Sequence, residues 1–222
     1  MSKDGPATAR RVTADWARAY EGFSVWRPLR LLRRIGPVVQ GITLDRTTSG
    51  DAYFPTAHIH ALTREFPVVS LTLGQRLLSP SGVQEAVAFA SHADLYIEAS
   101  ARLAEQSRLS LGDAPGVEQI VKELHAFAVA QQERGYPPAV FEMEDSVLVA
   151  AAYGDSELLP RGLRLAADLA EEWKVSRLPL SFPGKADWLA GLEEKAGSPS
   201  VLNDTIESQI AVHKLGGIHQ VQ

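Results

Sequence analysis

Residues 38–62 read VVQGITLDRTTSGDAYFPTAHIHAL, and this stretch decides the fold. Two β-rich segments, 38–45 and 52–62, flank the polar connection TTSGD at residues 47–51. A short connection of Thr, Ser, Gly and Asp between β-rich segments is typical of a hairpin. Strands joined so closely can only be antiparallel neighbours. The stretch therefore predicts a β-hairpin.

Two further segments extend this hairpin along the chain. Residues 27–34 alternate loosely and end at Gly36-Pro37, and residues 68–73 follow a second turn at 64–67. Because sequential strands with short connections pair side by side, the four segments predict an antiparallel meander of about four strands over residues 25–73.

Helical spacing precedes and follows the predicted meander. Before it, apolar residues at helical spacing predict an amphipathic helix over 8–21. After it, Ser81 and Gln84 form a capping-box pattern that predicts a helix start. Residues 139–152 fit either a hairpin or a strand that leads into a helix. Helices are predicted around 117–128, 159–173, 185–196 and 199–215.

The order of elements gives the fold class. Segregated strands and helices indicate an α+β protein rather than a doubly wound sheet. We expect an N-terminal helix, the meander, and then a mostly helical C-terminal part that packs on the sheet, because a lone small sheet leaves its apolar face in water. The prediction is a single domain over residues 1–222, sheet-rich over 1–78 and helix-rich over 79–222.

Composition narrows the function classes. The chain has no cysteine, which excludes thiolate catalysis and cysteine-based zinc sites and fits a reducing compartment. It shows no apolar signal segment and no run of about 18 apolar residues, so we expect a cytoplasmic protein without a membrane partner.

Charge is distributed unevenly along the chain. The total is −5, but residues 1–46 hold nine basic and four acidic residues, and the remainder holds 13 basic and 23 acidic residues. The acidic remainder argues against general nucleic-acid binding. A cluster of arginines could still bind phosphate or another polyanion, or could serve as solvated charges on an edge strand. This candidate polyanion site comprises Arg27, Arg30, Arg33 and Arg34.

His58 and His60 form the sharpest local motif. Residues i and i+2 of a strand share a face, so two imidazoles could meet on one ion such as zinc, iron or manganese. With Glu65 the pattern is H-x-H-x4-E, which resembles part of the first cupin motif, in which two histidines and a glutamate hold a metal inside a small barrel. The resemblance implies a metal-dependent enzyme in which the ion activates water or dioxygen.

The chain departs from the cupin pattern around this motif. Gly50 and Gly74 lie farther out than the motif's glycines, and Glu85 stands where the second motif places a histidine. The third ligand stays open between Glu65, His92 and a carboxylate of residues 142–145. The alternative interpretation is two ordinary sheet histidines.

The acidic residues 142–145 and the absence of well-known enzyme motifs complete the sequence interpretation, which favours a protein-binding function. Glu142, Glu144 and Asp145 would put two carboxylates on one face if residues 140–144 form a strand, and such a pair could do acid–base chemistry or bind a hard cation. The alternative is the solvated face of an edge strand. The nucleotide-binding and serine-hydrolase motifs are missing from the sequence. We therefore expect a non-catalytic accessory protein, toxin-neutralising for example, that binds another protein or itself and favours no cofactor. Its expected interface residues are Trp26, Tyr53 and Phe54.

Overall fold

The computed structural model describes residues 5–221 and confirms the predicted α+β class. An N-terminal helix, α1, precedes an antiparallel sheet, and a mostly helical part follows. The first half of the chain contains α1 Gly5–Ala19, β1 Ser24–Arg27, β2 Arg30–Ile35, β3 Val38–Arg46, β4 Ala52–Ala61, β5 Thr72–Arg76, β6 Val87–Ala88 and α2 His92–Gln106. The second half contains α3 Val117–Glu133, α4 Val140–Tyr153, α5 Leu158–Glu172, α6 Lys185–Ala196, α7 Pro199–Val212 and β7 Gln220–Val221.

The chain divides into two compact units. The sheet unit comprises the residues up to His60, Val68–Ala114 and the residues from Lys214 onward. The helical unit comprises Ala61–Pro67 and Pro115–His213. Among residues 5–221, no helix is long and apolar enough to cross a bilayer.

The sheet unit follows the predicted meander. Its strand order is β1-β2-β3-β4-β5, with β6 beside β4 and β7 parallel to β2. The predicted hairpin is confirmed: residues 47–51 connect β3 to β4, and the Thr47 amide donates to the Ala52 carbonyl at 2.9 Å. The helices α1 and α2 bury apolar side chains with the sheet, including Val12, Trp16, Leu31, Ile42, Tyr53, Ala99 and Leu103.

Three local predictions for the sheet unit are corrected. Residues 27–34 are not one strand, because a turn at Leu29, with φ of 65°, divides them between β1 and β2. The last meander strand begins at Thr72 rather than Val68. Ser81 does not begin a helix: Gly82 takes a φ of 81° and its amide donates to the Ser79 carbonyl, so residues 77–85 turn back as a hairpin.

The helical unit is built around α4. This helix packs against α3, α5, α6 and α7, and most of its residues from Met143 to Ala150 are buried. The ambiguity at residues 139–152 is thereby resolved in favour of a helix. A helix that is surrounded by other helices does not need the 3.6-residue amphipathic pattern of a surface helix. Its apolar sequence could therefore also fit a strand. Its core partners include Ala166, Leu169, Trp173, Trp188, Leu192 and Leu202.

Candidate functional site

A surface groove runs between α1 and α2 in the sheet unit, with a volume of about 450 Å³. We call it the α1–α2 groove. Ile97 is exposed over 66% of its surface although it lies on a helix with a well-buried opposite face. With Ala101 and Ala104 it forms an apolar part of the groove surface, and a contiguous apolar patch with a polar rim can mark a binding site. The groove is lined by Arg18, Ala19, Tyr20, Tyr96, Ile97, Ser100, Ala101, Ala104 and Gly112.

A buried polar network lies beside the groove. The Trp16 indole N–H donates to the Tyr53 hydroxyl at 3.1 Å, and the hydroxyl lies 2.7 Å from Nδ1 of His92. Nε2 of His92 lies 2.9 Å from the Asp15 carboxylate, which also accepts from Arg18. Because a carboxylate can only accept, Nε2 of His92 carries a hydrogen and donates it to Asp15. In the neutral imidazole, Nδ1 then accepts from the Tyr53 hydroxyl.

This network and the contacts around it hold the walls of the groove in place. Burial raises the pKa of Tyr53 to about 12, so its phenol stays protonated at neutral pH. Tyr96 stacks on His92 with ring centroids 4.9 Å apart, which fixes one wall of the groove. Tyr20 donates to the Ser100 carbonyl at 2.5 Å and so joins the two helices. A groove held in this way is preorganised for binding.

The structure buries both histidines of the cupin-like motif. His58 is 4% and His60 is 2% exposed. Nε2 of His58 packs against Gly41, where an added Cβ would lie only 2.4 Å away. Nδ1 of His60 accepts from the Ser70 amide at 3.2 Å. His58 therefore packs within the sheet, and His60 is hydrogen-bonded to Ser70.

The metal prediction gains no support from the structure. Glu65 is exposed on an irregular segment of the helical unit. Across residues 5–221, no three histidine, aspartate or glutamate side chains are grouped so that they could hold a metal ion. His92, the alternative ligand, is engaged with Tyr53 and Asp15. The metal site stays a prediction from the sequence.

Burial gives His58 a testable pH dependence. Desolvation lowers the pKa of His58 to about 4, whereas an unfolded histidine titrates near about 6.5. In that interval the unfolded chain binds a proton that the folded chain refuses, so stability falls as pH falls. We expect the sheet unit to lose about 3 kcal/mol between these pH values, measured by hydrogen exchange of the β4 amides after correction for intrinsic rates. The variant His58→Asn should lack this loss, and an equal loss in the variant would disprove the assignment.

The predicted arginine cluster does not form one surface. Arg33 is 1% exposed, and its guanidinium donates to the carbonyls of Gly112, Ser110 and Asp113 at 2.7, 2.8 and 3.0 Å. Arg33 is therefore buried and not on the surface that the polyanion prediction assumed. The other three arginines have separate partners: Arg27 lies over Trp26 at 4.0 Å, Arg30 pairs with Asp45 at 3.0 Å, and Arg34 donates to Gln220.

The predicted interface residues also have different environments. Tyr53 is fully buried in the network described above, so its side chain is not on the surface of the sheet unit. Trp26 and Phe54 are half-buried beneath the guanidinium groups of Arg27 and Arg76. The exposed large apolar side chains of the sheet unit include Val25, Val68, Leu71, Val83, Leu95 and Ile97. Two of them, Leu95 and Ile97, form the exposed apolar surface of α2. The only sequence signal for it was the spacing of Ile97, Ala101 and Ala104 beside the buried Ala99 and Leu103.

The acidic residues 142–145 surround one arginine in the helical unit. Nε of Arg64 donates to Asp145 at 2.7 Å, and its Nη1 lies 3.4 Å from Glu144. The Trp188 indole donates to Glu144 at 2.8 Å. Burial raises the pKa of Asp145 to about 6. The carboxylates lie on α4 and not on a strand, which corrects the predicted alternation, and two of them are engaged in ion pairing.

Known proteins provide no assignment for this arrangement. Comparison with protein-family models, curated proteins and solved structures finds no match to the chain.

Proposed function

We propose that this protein is a non-catalytic accessory protein that binds an amphipathic helix of another protein in the α1–α2 groove. The observation that carries the proposal is the exposed Ile97 in an apolar groove between two helices of the sheet unit. Amphipathic helices bind such grooves through apolar anchors on one face. Neutralising a toxin by covering part of its surface is one concrete form of this function.

The rigidity of the groove supports the proposal. Tyr96 is held by stacking on His92, and Tyr20 is tied to Ser100, so two of the lining side chains are ordered before a partner arrives. Side chains that are already ordered lose little conformational entropy on binding. The groove thus requires little rearrangement.

The charges beside the groove favour a particular partner. Arg18 lies in the α1 wall, and its side chain is 73% exposed although it also pairs with Asp15. Glu98, with a side chain that is 72% exposed, follows Ile97 on α2 and pairs with Arg102 at 3.7 Å. A partner helix with an apolar face, an acidic flank towards Arg18 and a basic flank towards Glu98 would complement both sides.

The variant Ile97→Asp tests this function. Proteins from a native lysate would be captured on the wild-type chain, and each candidate partner would then be purified and titrated by calorimetry. We expect Ile97→Asp to weaken binding about tenfold or more, because a charge would be desolvated in the groove.

The matched control is Val83→Asp, which changes an equally exposed valine (64%) elsewhere in the sheet unit. It should bind as the wild type does. A purified partner whose affinity is the same for all three chains would overturn the assignment to the groove, and so would a partner that both variants lose equally.

A further inference from the structure

The helical unit carries an unusual loop between α5 and α6, residues 173–184, which we call the α5–α6 loop. Leu180 in this loop is exposed over 107% of its reference surface, and Val175 is 81% exposed. These are the most exposed large apolar side chains among the described residues. Isolated exposed aliphatic residues are common, so the inference depends on how this loop is held.

The loop is fixed on both sides of Leu180. Leu178 and Phe182 pack against the core of the helical unit, and the Phe182 ring lies 6.0 Å from that of Trp173. Leu180 lies between these two anchors in a turn, because the Phe182 amide donates to the Pro179 carbonyl at 2.9 Å, and this turn leaves the Leu180 side chain in solvent. Pro179 and Pro183 further restrict the backbone. Leu180 is therefore presented to solvent by a rigid segment.

Two hydrogen bonds attach the loop to neighbouring helices. Nζ of Lys185 donates to the Glu171 carbonyl at 2.7 Å at the end of α5. The Arg177 guanidinium donates to the Gly135 carbonyl just beyond α3. The Arg177 contact lies within the loop and the Lys185 contact just beyond it, and Val175 and Leu180 stay exposed.

A small surface bay lies beside the loop, with a volume of about 230 Å³. Its apolar walls come from Tyr136, Pro138 and Trp173, and Tyr136 is 54% exposed. Trp173 is fixed because its indole donates to Gln132 at 3.1 Å. Gln132 in turn donates to Glu172 at 2.7 Å, which occupies one oxygen of the only carboxylate that lines the bay. Aromatic walls in a fixed arrangement suit an aromatic side chain.

The basic residues of the loop favour a ligand with negative charge. Residues 174–185 contain Lys174, Arg177 and Lys185 and no acidic residue, in a chain whose net charge is −5. Lys174 and Arg177 also line the bay. An acidic segment would be attracted to these cations, whereas a basic segment would be repelled.

We propose that the α5–α6 loop and the bay form a second docking surface, which binds an acidic peptide segment of another protein through an aromatic anchor. The aromatic ring enters the bay between Tyr136 and Trp173, the carboxylates face Lys174 and Arg177, and Leu180 covers the apolar part of the segment. This surface lies in the helical unit and is independent of the α1–α2 groove.

Fluorescence anisotropy with synthetic peptides tests the proposal. The probe is a short labelled peptide with one tryptophan flanked by glutamates; the comparison peptides replace the tryptophan with alanine or the glutamates with lysines. We expect the full-length chain to bind the probe about tenfold or more tightly than either comparison peptide. Affinity for the probe should also fall as salt rises. Equal binding of all three peptides, or no binding of the probe, would overturn the proposal.

Single variants separate this surface from the rest of the chain. Leu180→Asp and Lys174→Glu change exposed side chains and should each weaken binding of the probe about tenfold. Val201→Asp, at an exposed site on α7 of the same unit, and Ile97→Asp in the α1–α2 groove should leave it unchanged. A loss of binding in the two control variants equal to that in Leu180→Asp would refute the proposed location.

Discussion

Replacing Arg64 with leucine is expected to lower the free energy of unfolding of the helical unit by about 3–5 kcal/mol, because the change leaves a buried carboxylate without its cation. Asp145 is only 2% exposed, and Arg64 donates to it at 2.7 Å. Arg64 also lies near Glu144, so its loss removes the counter-charge of two acids. Urea unfolding followed by hydrogen exchange of the α4 amides would measure the effect.

The pH dependence identifies charge as the cause. Burial raises the pKa of Asp145 from 3.8 to about 6, so its protonated form stabilises the fold and that contribution is lost as pH rises through this interval. The penalty of Arg64→Leu should therefore be smaller at about pH 5 than at about pH 7.5, because protonation removes the unpaired charge. A penalty that is equal at both pH values would point to lost packing instead.

A double variant and a surface control complete the experiment. Arg64→Leu/Asp145→Leu should regain most of the lost stability, because an apolar pair of similar volume can replace a buried ion pair. Arg161→Leu removes an exposed pair with Glu157 on α5 and should change the free energy of unfolding by less than about 0.5 kcal/mol.

Local features of the fold could be predicted because their cause is local. The turn at residues 47–51 contains its own Thr, Ser, Gly and Asp, and the structure places a hairpin there. The capping-box prediction at Ser81 was wrong for an equally local reason, which lies in its two neighbours. Pro80 and Gly82 flank that serine, and both favour a turn over a helix start.

The polar clusters could not be predicted because their partners are distant in sequence. His92 contacts Asp15 across 77 residues and Tyr53 across 39 residues. Spacing in a single sequence carries no information about such pairs. Residues 142–145 were ambiguous for another reason: alternate acids fit a strand face, and the central position of α4 became evident only with its neighbouring helices in place.

Arg33 was predicted to belong to a polyanion site, and the structure instead buries its side chain. Replacing Arg33 with methionine is expected to lower the free energy of unfolding of the sheet unit by about 4 kcal/mol. The guanidinium donates to the carbonyls of Ser110, Gly112 and Asp113, and to Gln40 at 2.8 Å. Each hydrogen bond from a charged donor contributes about 1.5–3 kcal/mol, and the desolvation cost of the buried guanidinium offsets part of their sum. Methionine keeps much of the volume, so the expected loss comes from polar contacts and not from a cavity.

The Arg33 variant should also release one particular segment. The loop at residues 107–116 has no regular secondary structure, and the Arg33 side chain is its main polar link to β2. Hydrogen exchange should therefore rise first in this loop, before the amides of β3 and β4. Arg27→Met removes an exposed guanidinium of the same predicted cluster and should change stability by less than about 0.5 kcal/mol. Equal effects of the two substitutions would show that burial does not distinguish them. Desolvation lowers the pKa of Arg33 to about 10, so the charge that holds the loop persists at neutral pH and the same result is expected from about pH 6 to pH 8.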